Sequence, residues 1–317
     1  MMQVVLTCWD GRRLQLPDPV RWSFRYGGDA PCDSCSVTCL WQPGGEDLLA
    51  EAVTLTAEED GRRIFTGVVD ECERGWDKTG SRLTVSGRSM AARLVDNEAL
   101  GQQYQVATLE DILRDHVTPY GIQARVEVQL PSVPGFTVDT GSSEWQVLYD
   151  FCRYHGGITP RVDRQGQLVL APWADGQTRV LGPEAAITAL TLRDQRYGVL
   201  SEVLVRERGG ESVQRVTDED FLARGGQCRR VVTMPDKSGY QAMRYSGRYQ
   251  LEQSRTELRR LELELPEAFC AWPGELVQVQ GSQPVGRGLW RVAESVCALE
   301  ETGRYTRLSL CPPDTAL

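Results

Sequence analysis

Lysine is nearly missing from this chain. Of 35 basic residues only Lys78 and Lys237 are lysines, and histidine is confined to His116 and His155. Two histidines leave little material for general bases or for imidazole metal sites at neutral pH. No stretch approaches the roughly 18 to 20 apolar residues of a membrane span, and no basic start leads into an apolar run. The expectation is a soluble chain with no export leader and no membrane insertion. No Walker-type phosphate loop and no nucleophile elbow occur, and Gly44-Gly45 and Gly225-Gly226 lack the strand-glycine-helix setting of a dinucleotide site. Positive charge is also in deficit: 35 basic against 44 acidic residues gives a net charge of -9 and a pI near 5.0. Such a molecule repels phosphate backbones, so no specific nucleic-acid partner is expected.

What the chain does have is ordinary globular material, 41% hydrophobic and 25% charged, in 317 residues. That length suits two or three domains with their own cores. Ten cysteines fall mostly in alternating apolar runs such as Leu6-Thr7-Cys8-Trp9 and Val296-Cys297-Ala298. There a thiol acts as a small hydrophobe, and the set reads as reduced core residues of a protein made in a cytoplasm.

The period of the pattern changes twice. Up to about residue 96, Gln3 to Trp9, Leu14 to Leu16, Val20 to Tyr26, Ser36 to Leu40, Val53 to Thr56 and Ile64 to Val69 alternate as half-buried strands, with a tight turn at Glu59-Asp60-Gly61. Val69 to Glu73 and Arg82 to Ser86 form a further pair, with Gly75 to Gly80 as its loop. In the middle, Thr108 and Asp111 cap a helix over about 108–118. Ser143 and Gln146 form a second capping pattern before Trp145, Leu148, Tyr149 and Cys152, which Gly156-Gly157 ends. A hairpin over Ile158 to Leu170 follows. The last third returns to strands, from Val199 to Val205 through Tyr305 to Leu310. One helix interrupts them near 240–259, presenting Tyr240, Met243, Gly247, Leu251, Ser254 and Leu258 on one face. The fold class is mainly β with an α+β insert. Its expected parts are a barrel over 1–96, an α+β insert over 97–187 and a second barrel over 188–317 with a helical insertion near 207–259.

The order of these elements carries phrases that resemble the baseplate hub proteins of contractile phage tails and related injection systems, the late control D and PBSX-like group. The phrases are Asp29 to Ser34, Ile64 to Val69, Leu83 to Ser89 leading into Ala92 to Asp96, Thr108 to Leu113 with Tyr120-Gly121-Ile122, Trp145 to Gly157, Trp272 to Val277, Trp290 to Val292 and Tyr305 to Leu310. The resemblance implies two tube-type barrels per chain flanking the insert, and a homotrimer whose pseudo-sixfold ring joins the tail tube protein to the central spike protein. Tape-measure or wedge proteins are further implied partners. The implied setting is the baseplate of a virion tail assembled in the bacterial cytoplasm, with no enzymatic activity. If DNA passes through the ring, the net charge predicts an acidic lumen that lets it slide. The alternative is a tail-associated module that binds or degrades cell wall.

Within those phrases the residues have folding roles. Gly67 and Gly87 interrupt strands where a bulge or close backbone approach is expected. Arg88 stands ready to pair with a carboxylate or carbonyl at a strand end, and Pro273-Gly274 turns the chain into a strand. Candidates for chemistry are few. Cys32, Cys35 and Cys39 have zinc-like spacing but no local fourth ligand, and a strand over Ser34 to Leu40 would put Cys35 and Cys39 on one face and Cys32 on the other. They read better as core cysteines. Glu71 with Glu73, Glu110 with Asp111, and Asp218 with Glu219 and Asp220 are the acid pairs a glycosidase would need, and each also suits a solvated face or helix start. His116, inside the first helix, and His155, at the end of the second beside Gly156-Gly157, have no partner visible in the sequence. Arg21 to Tyr26 alternates arginine with aromatic residues, which suits base stacking or one buried and one solvated strand face. No cofactor or metal is expected.

Overall fold

In a computed structural model the described residues are 1–315 apart from positions 29, 43, 79, 174–177, 208, 210, 211, 235–238, 257 and 282. Asp29, Thr79 and Glu257, which enter the phrases, loop and helix named above, therefore lie outside them. The fold is mainly β, dominated by one 13-stranded sheet.

The first half of that sheet comes from Met2–Cys8, Arg13–Gln15, Pro19–Gly27, Ser34–Leu40, Ala52–Glu59, Arg62–Asp77 and Gly80–Ser89. All its pairings are antiparallel. Alternation decides which side is dry: Val4 and Leu6, Trp22, Phe24 and Tyr26, Val37, Leu55, and Leu83 and Val85 all fall on the buried side and form one core. The turn after Glu59 bends through Asp60 at φ 51° and Gly61 at φ 76°.

One expected loop is not a loop. Arg62–Asp77 and Gly80–Ser89 stay paired to their ends, with Gly75 opposite Arg82 and Asp77 opposite Gly80. The ribbon projects past the core, leaving Trp76 81% exposed at its tip. Glycine and tryptophan near a turn imitate a loop in composition, whereas cross-strand bonds keep the ribbon extended.

The second half of the sheet contains Thr178–Leu181, Ala189–Asp194, Arg259–Leu265, Leu276–Val279, Gly288–Glu300 and Gly303–Cys311, around a core of Leu261, Leu263, Val277, Val292, Leu308 and Leu310. The halves meet edge to edge. Pro19–Gly27 pairs antiparallel with Gly288–Glu300, placing Phe24 opposite Cys297.

Between them lies the third core, gathered from Met90 to Leu170. The helix Leu109–His116 starts at Thr108, whose side chain accepts from the Asp111 N–H while the Asp111 carboxylate accepts from Thr108. Such a reciprocal cap is worth about 1 kcal/mol. At Ser143 only half of the expected box forms. Ser143 Oγ accepts from Gln146 N, but the Gln146 amide donates to Asp150 Oδ1 at 2.5 Å instead of turning back. Past Tyr149 the helix widens into a π-helical turn over Asp150–His155.

The expected helical insertion near 207–259 is more than a helix. Tyr240–Thr256 packs on a separate sheet of Glu202–Glu207, Val213–Thr217 and Arg229–Met234, in which the first and third strands run parallel. Met243 and Leu251 are buried there, and Gly247 approaches Val216, but Tyr240 is 53% exposed because it sits on the first turn, beyond the sheet. Among the described residues no helix is long and apolar enough to cross a membrane.

Candidate functional surfaces

The large sheet has one dry side and one polar side. Residues that alternate with the core, including Ser23, Arg25, Ser34, Ser36 and Thr38, line two adjoining hollows of about 440 and 760 Å³ that cross the junction of the halves. Four arginines (Arg21, Arg25, Arg260, Arg307) share these hollows with five glutamates (Glu262, Glu264, Glu294, Glu300, Glu301). Arg25 pairs with Glu294 and Arg307 with Glu264, each at 2.7 Å, and Arg21 pairs with Glu301. Arg260 donates to Ser309 Oγ at 2.9 Å, and Thr38 and Thr84 bond across strands at 3.0 Å. The Arg21 to Tyr26 run is thus split by the pleat, with Trp22, Phe24 and Tyr26 in the core and the arginines on the wet side.

The sheet also ends. Arg13–Gln15 and Ala189–Asp194 are the outermost strands of its main path, and Thr178–Leu181 has one neighbour, so each leaves one edge unpaired among the described residues. An open edge is a row of free N–H and C=O groups that recruits another strand.

Gly67 and Gly87 sit on neighbouring strands at a bulge between Val69 and Glu71. A Cβ on Gly67 would stand 2.1 Å from the Arg88 carbonyl oxygen, and one on Gly87 would stand 2.2 Å from that of Val68. The backbones approach more closely than any side chain permits. Arg88, next in line, is held twice: it donates to both oxygens of Asp70 at 2.8 Å and to both of Asp96 at 2.9 and 2.6 Å. Those bonds hold the Asp96 carboxyl below the usual carboxylate range. This ties the strand end to the short helix Ala92–Val95 and so orients the third core against the first. At Pro273-Gly274 the chain turns with Gly274 at φ 88°, its Cα facing the Trp173 ring. Its carbonyl accepts from Arg291 Nη1 at 2.9 Å.

The three clustered cysteines divide between cores. Cys35 and Cys39 are buried with the first core, while Cys32, outside the strand, packs against the third. Burial pushes their thiols up, to about 11 for Cys32 and Cys39 and about 12 for Cys35. No group of three or more metal-binding side chains gathers among the described residues. Half of the ten cysteines are fully buried; Cys32, Cys72, Cys228, Cys270 and Cys297 are only partly so.

Each acid pair resolves separately. Glu71 and Glu73 are exposed on the projecting ribbon, Asp111 serves the Thr108 cap, and Asp218 caps the helix Glu219–Ala223 while accepting from Arg255. His155 packs edge-on against Phe136, and burial pulls its imidazole down to about 4. His116 does have partners that the sequence concealed. Its Nδ1 meets Glu144 Oε2 at 2.5 Å, its Nε2 lies 3.0 Å from the Tyr104 hydroxyl, and Tyr120 donates to the other Glu144 oxygen at 2.8 Å. His116 and Glu144 are both buried, so the network locks two helices together inside the third core.

Residues 91–172, which contain that network, match the family described as baseplate hub protein gp44-like, second domain. The baseplate hub protein gp44 of Escherichia phage Mu is 33% identical over 144 residues, covering 43% of this chain and 38% of the Mu protein. The match thus spans well under half of that relative. Among solved structures, a tail protein from Neisseria meningitidis MC58 superposes with a TM-score of 0.77 at 18% identity, covering 99% of this chain and 98% of that one. The 43 kDa tail protein of prophage MuSo2 from Shewanella oneidensis gives the same TM-score and identity, covering 99% and 100%. The domain that Arg88 and the His116 network hold in place is thus of the gp44-like baseplate hub type, in a chain whose fold along its whole length is similar to that of phage tail proteins.

Proposed function

We propose that three copies of this chain close into a pseudo-sixfold ring that joins the tail tube to the central spike, and that the role is mechanical, with no reaction catalysed. The observation that carries this reading is that Arg13–Gln15 and Ala189–Asp194, at opposite ends of the sheet's main path, each leave one edge open among the described residues. A head-to-tail contact that closes on itself would use both of these edges in every copy.

In this reading the strand-rich regions 1–96 and 188–317 act as two tube-type units per chain, six per ring, and 97–187 stands outside as a buttress. Tube and spike proteins bind the two faces, with tape-measure and wedge proteins as further neighbours, and assembly takes place in the bacterial cytoplasm. The polar side of the sheet lines the channel. Its arginines and glutamates nearly balance and are largely paired, so the lining is a compensated hydroxyl-rich surface, less acidic than the net charge of -9 suggests. Passing DNA would find few free cations to hold it. Sedimentation equilibrium of the chain, alone and mixed with its tube and spike proteins, tests the reading. A three-copy mass supports it, and a monomer in every mixture refutes it.

A further inference from the structure

Exposed apolar side chains are not spread evenly over the first half of the large sheet. Trp9, Val20, Leu40, Val53 and Trp76 are 39–81% exposed, and the strand registers set all five at one end. Trp9 follows the last residue of Met2–Cys8, where Cys8 pairs with Ala52. Leu40 closes Ser34–Leu40 opposite Arg82, and Trp76 stands opposite Ser81 at the ribbon's tip. Val20 and Val53 are the extra residues of two bulges, between Pro19 and Arg21 and between Ala52 and Thr54. Bulges at a sheet's rim re-aim side chains. At the opposite end of the same strands, Met1 is the one large apolar side chain exposed among the described residues.

The second half has no counterpart at this end. Leu299 pairs with Trp22, which places the turn from Glu300 to Gly303 beside the start of Pro19–Gly27. Leu265 and Ala189 follow along the same rim, since Leu265 pairs with Thr306 and Ala189 with Glu264. Among the described residues no large apolar side chain is exposed at those strand ends.

If Arg13–Gln15 and Ala189–Asp194 pair between copies, the hydrogen-bonding direction runs around the ring and the strands run along its axis with the tilt of a barrel. Strand ends then form the two faces of the ring. The face with Trp9 and Trp76 carries one apolar patch per copy, on the first unit only, and so three patches per ring. A tube that continues six like units stacks on all six, whereas a partner seated on the axis over three of them needs three seats. On the other face both units contribute exposed apolar side chains, Met1 from the first and Tyr197 and Leu289 from the second.

We propose, resting on the three-copy ring above, that the face with Trp9 and Trp76 seats the central spike through the apolar patch of each copy, and that the tube stacks on the opposite face. Aromatic and aliphatic side chains left in water at one end of a folded chain mark a protein contact.

The double variant Trp9→Ser with Trp76→Ser tests this, because both rings lie outside the core and their loss spares the fold. Sedimentation follows the full chain alone, with the spike protein and with the tube protein. The expected result is an unchanged three-copy mass, affinity for the spike at least tenfold lower, and affinity for the tube unchanged. Leu100→Ser, which removes an exposed apolar side chain from the middle region, should leave both affinities as they are. Should the double variant not fold, Leu40→Lys takes its place under the same readouts. Spike affinity within twofold of the parent, a loss confined to the tube, or an equal loss of both would overturn the proposal and leave the ring standing. Loss of the three-copy mass in the variant alone would place the patch between copies and overturn it as well. A parent without that mass refutes the ring itself.

Discussion

His116 and Glu144, 28 residues apart, meet inside the third core at 2.5 Å from Nδ1 to Oε2, and each has a tyrosine hydroxyl on its other side. The arrangement looks like part of a catalytic relay, yet it is sealed: the side chains are only 3% and 9% exposed. Its role follows from burial. Removing one member leaves the other without a partner in a dry place.

Glu144→Ala should therefore destabilise the chain by about 3 kcal/mol, and Glu144→Gln, which keeps an acceptor for Tyr120, by less. Urea unfolding of both variants measures this. Equal and small losses would mean that water already satisfies the site.

Gly67→Ala and Gly87→Ala should each cost on the order of 1–3 kcal/mol or more, since the added carbon meets a backbone carbonyl that cannot swing aside. Gly75→Ala is the control. It lies on the same strand as Gly67 with nothing within 4 Å of the added atom and should change stability by about 0.5 kcal/mol or less. Thermal unfolding of the three variants checks the contrast.

Burial pushes the Asp33 carboxyl up to about 7, against the pull of the Gly27 N–H and of Arg164. The folded state therefore holds a proton that the unfolded chain releases near pH 4, so this residue's contribution to stability is full below about 4 and falls as pH rises to about 7. Asp33→Asn should remove that decline, stabilising the chain by up to about 4 kcal/mol at pH 8 and by only about 1 kcal/mol at pH 4.5. Urea midpoints at the two pH values decide it. A gain of equal size at both would show that charge is not the cause.

The first half of the sheet was legible because one face is dry, so every second residue from Met2 to Cys8 and from Trp22 to Tyr26 had to be apolar. The Thr108 cap was legible for a similar reason, since it is chemistry between residues three apart. Ala189–Asp194 was missed: it is an edge strand with mostly exposed positions, and alternation fades where neither face is fully covered. Val213–Thr217 was missed for the same reason. The projecting ribbon at Trp76 was mistaken for a loop because its extension depends on cross-strand bonds. No local signal joins His116 to Glu144, or Arg88 to Asp70, because their partners arrive through tertiary folding.

If open edges close the ring, charge placed on one should block assembly and spare the fold. Ala189→Lys with Thr191→Lys puts two ammonium groups on exposed positions of the outermost strand. The double variant should unfold within about 0.5 kcal/mol of the parent and lose most of its three-copy mass. Retention of that mass would place the contact elsewhere.

The most direct measurement is electron cryomicroscopy of the assembled tail end containing this chain. The account predicts one ring of three copies between tube and spike, with Ala189–Asp194 of each copy hydrogen-bonded to a strand of its neighbour. A ring of any other copy number, or three copies whose Ala189–Asp194 edges stay unpaired, would contradict it.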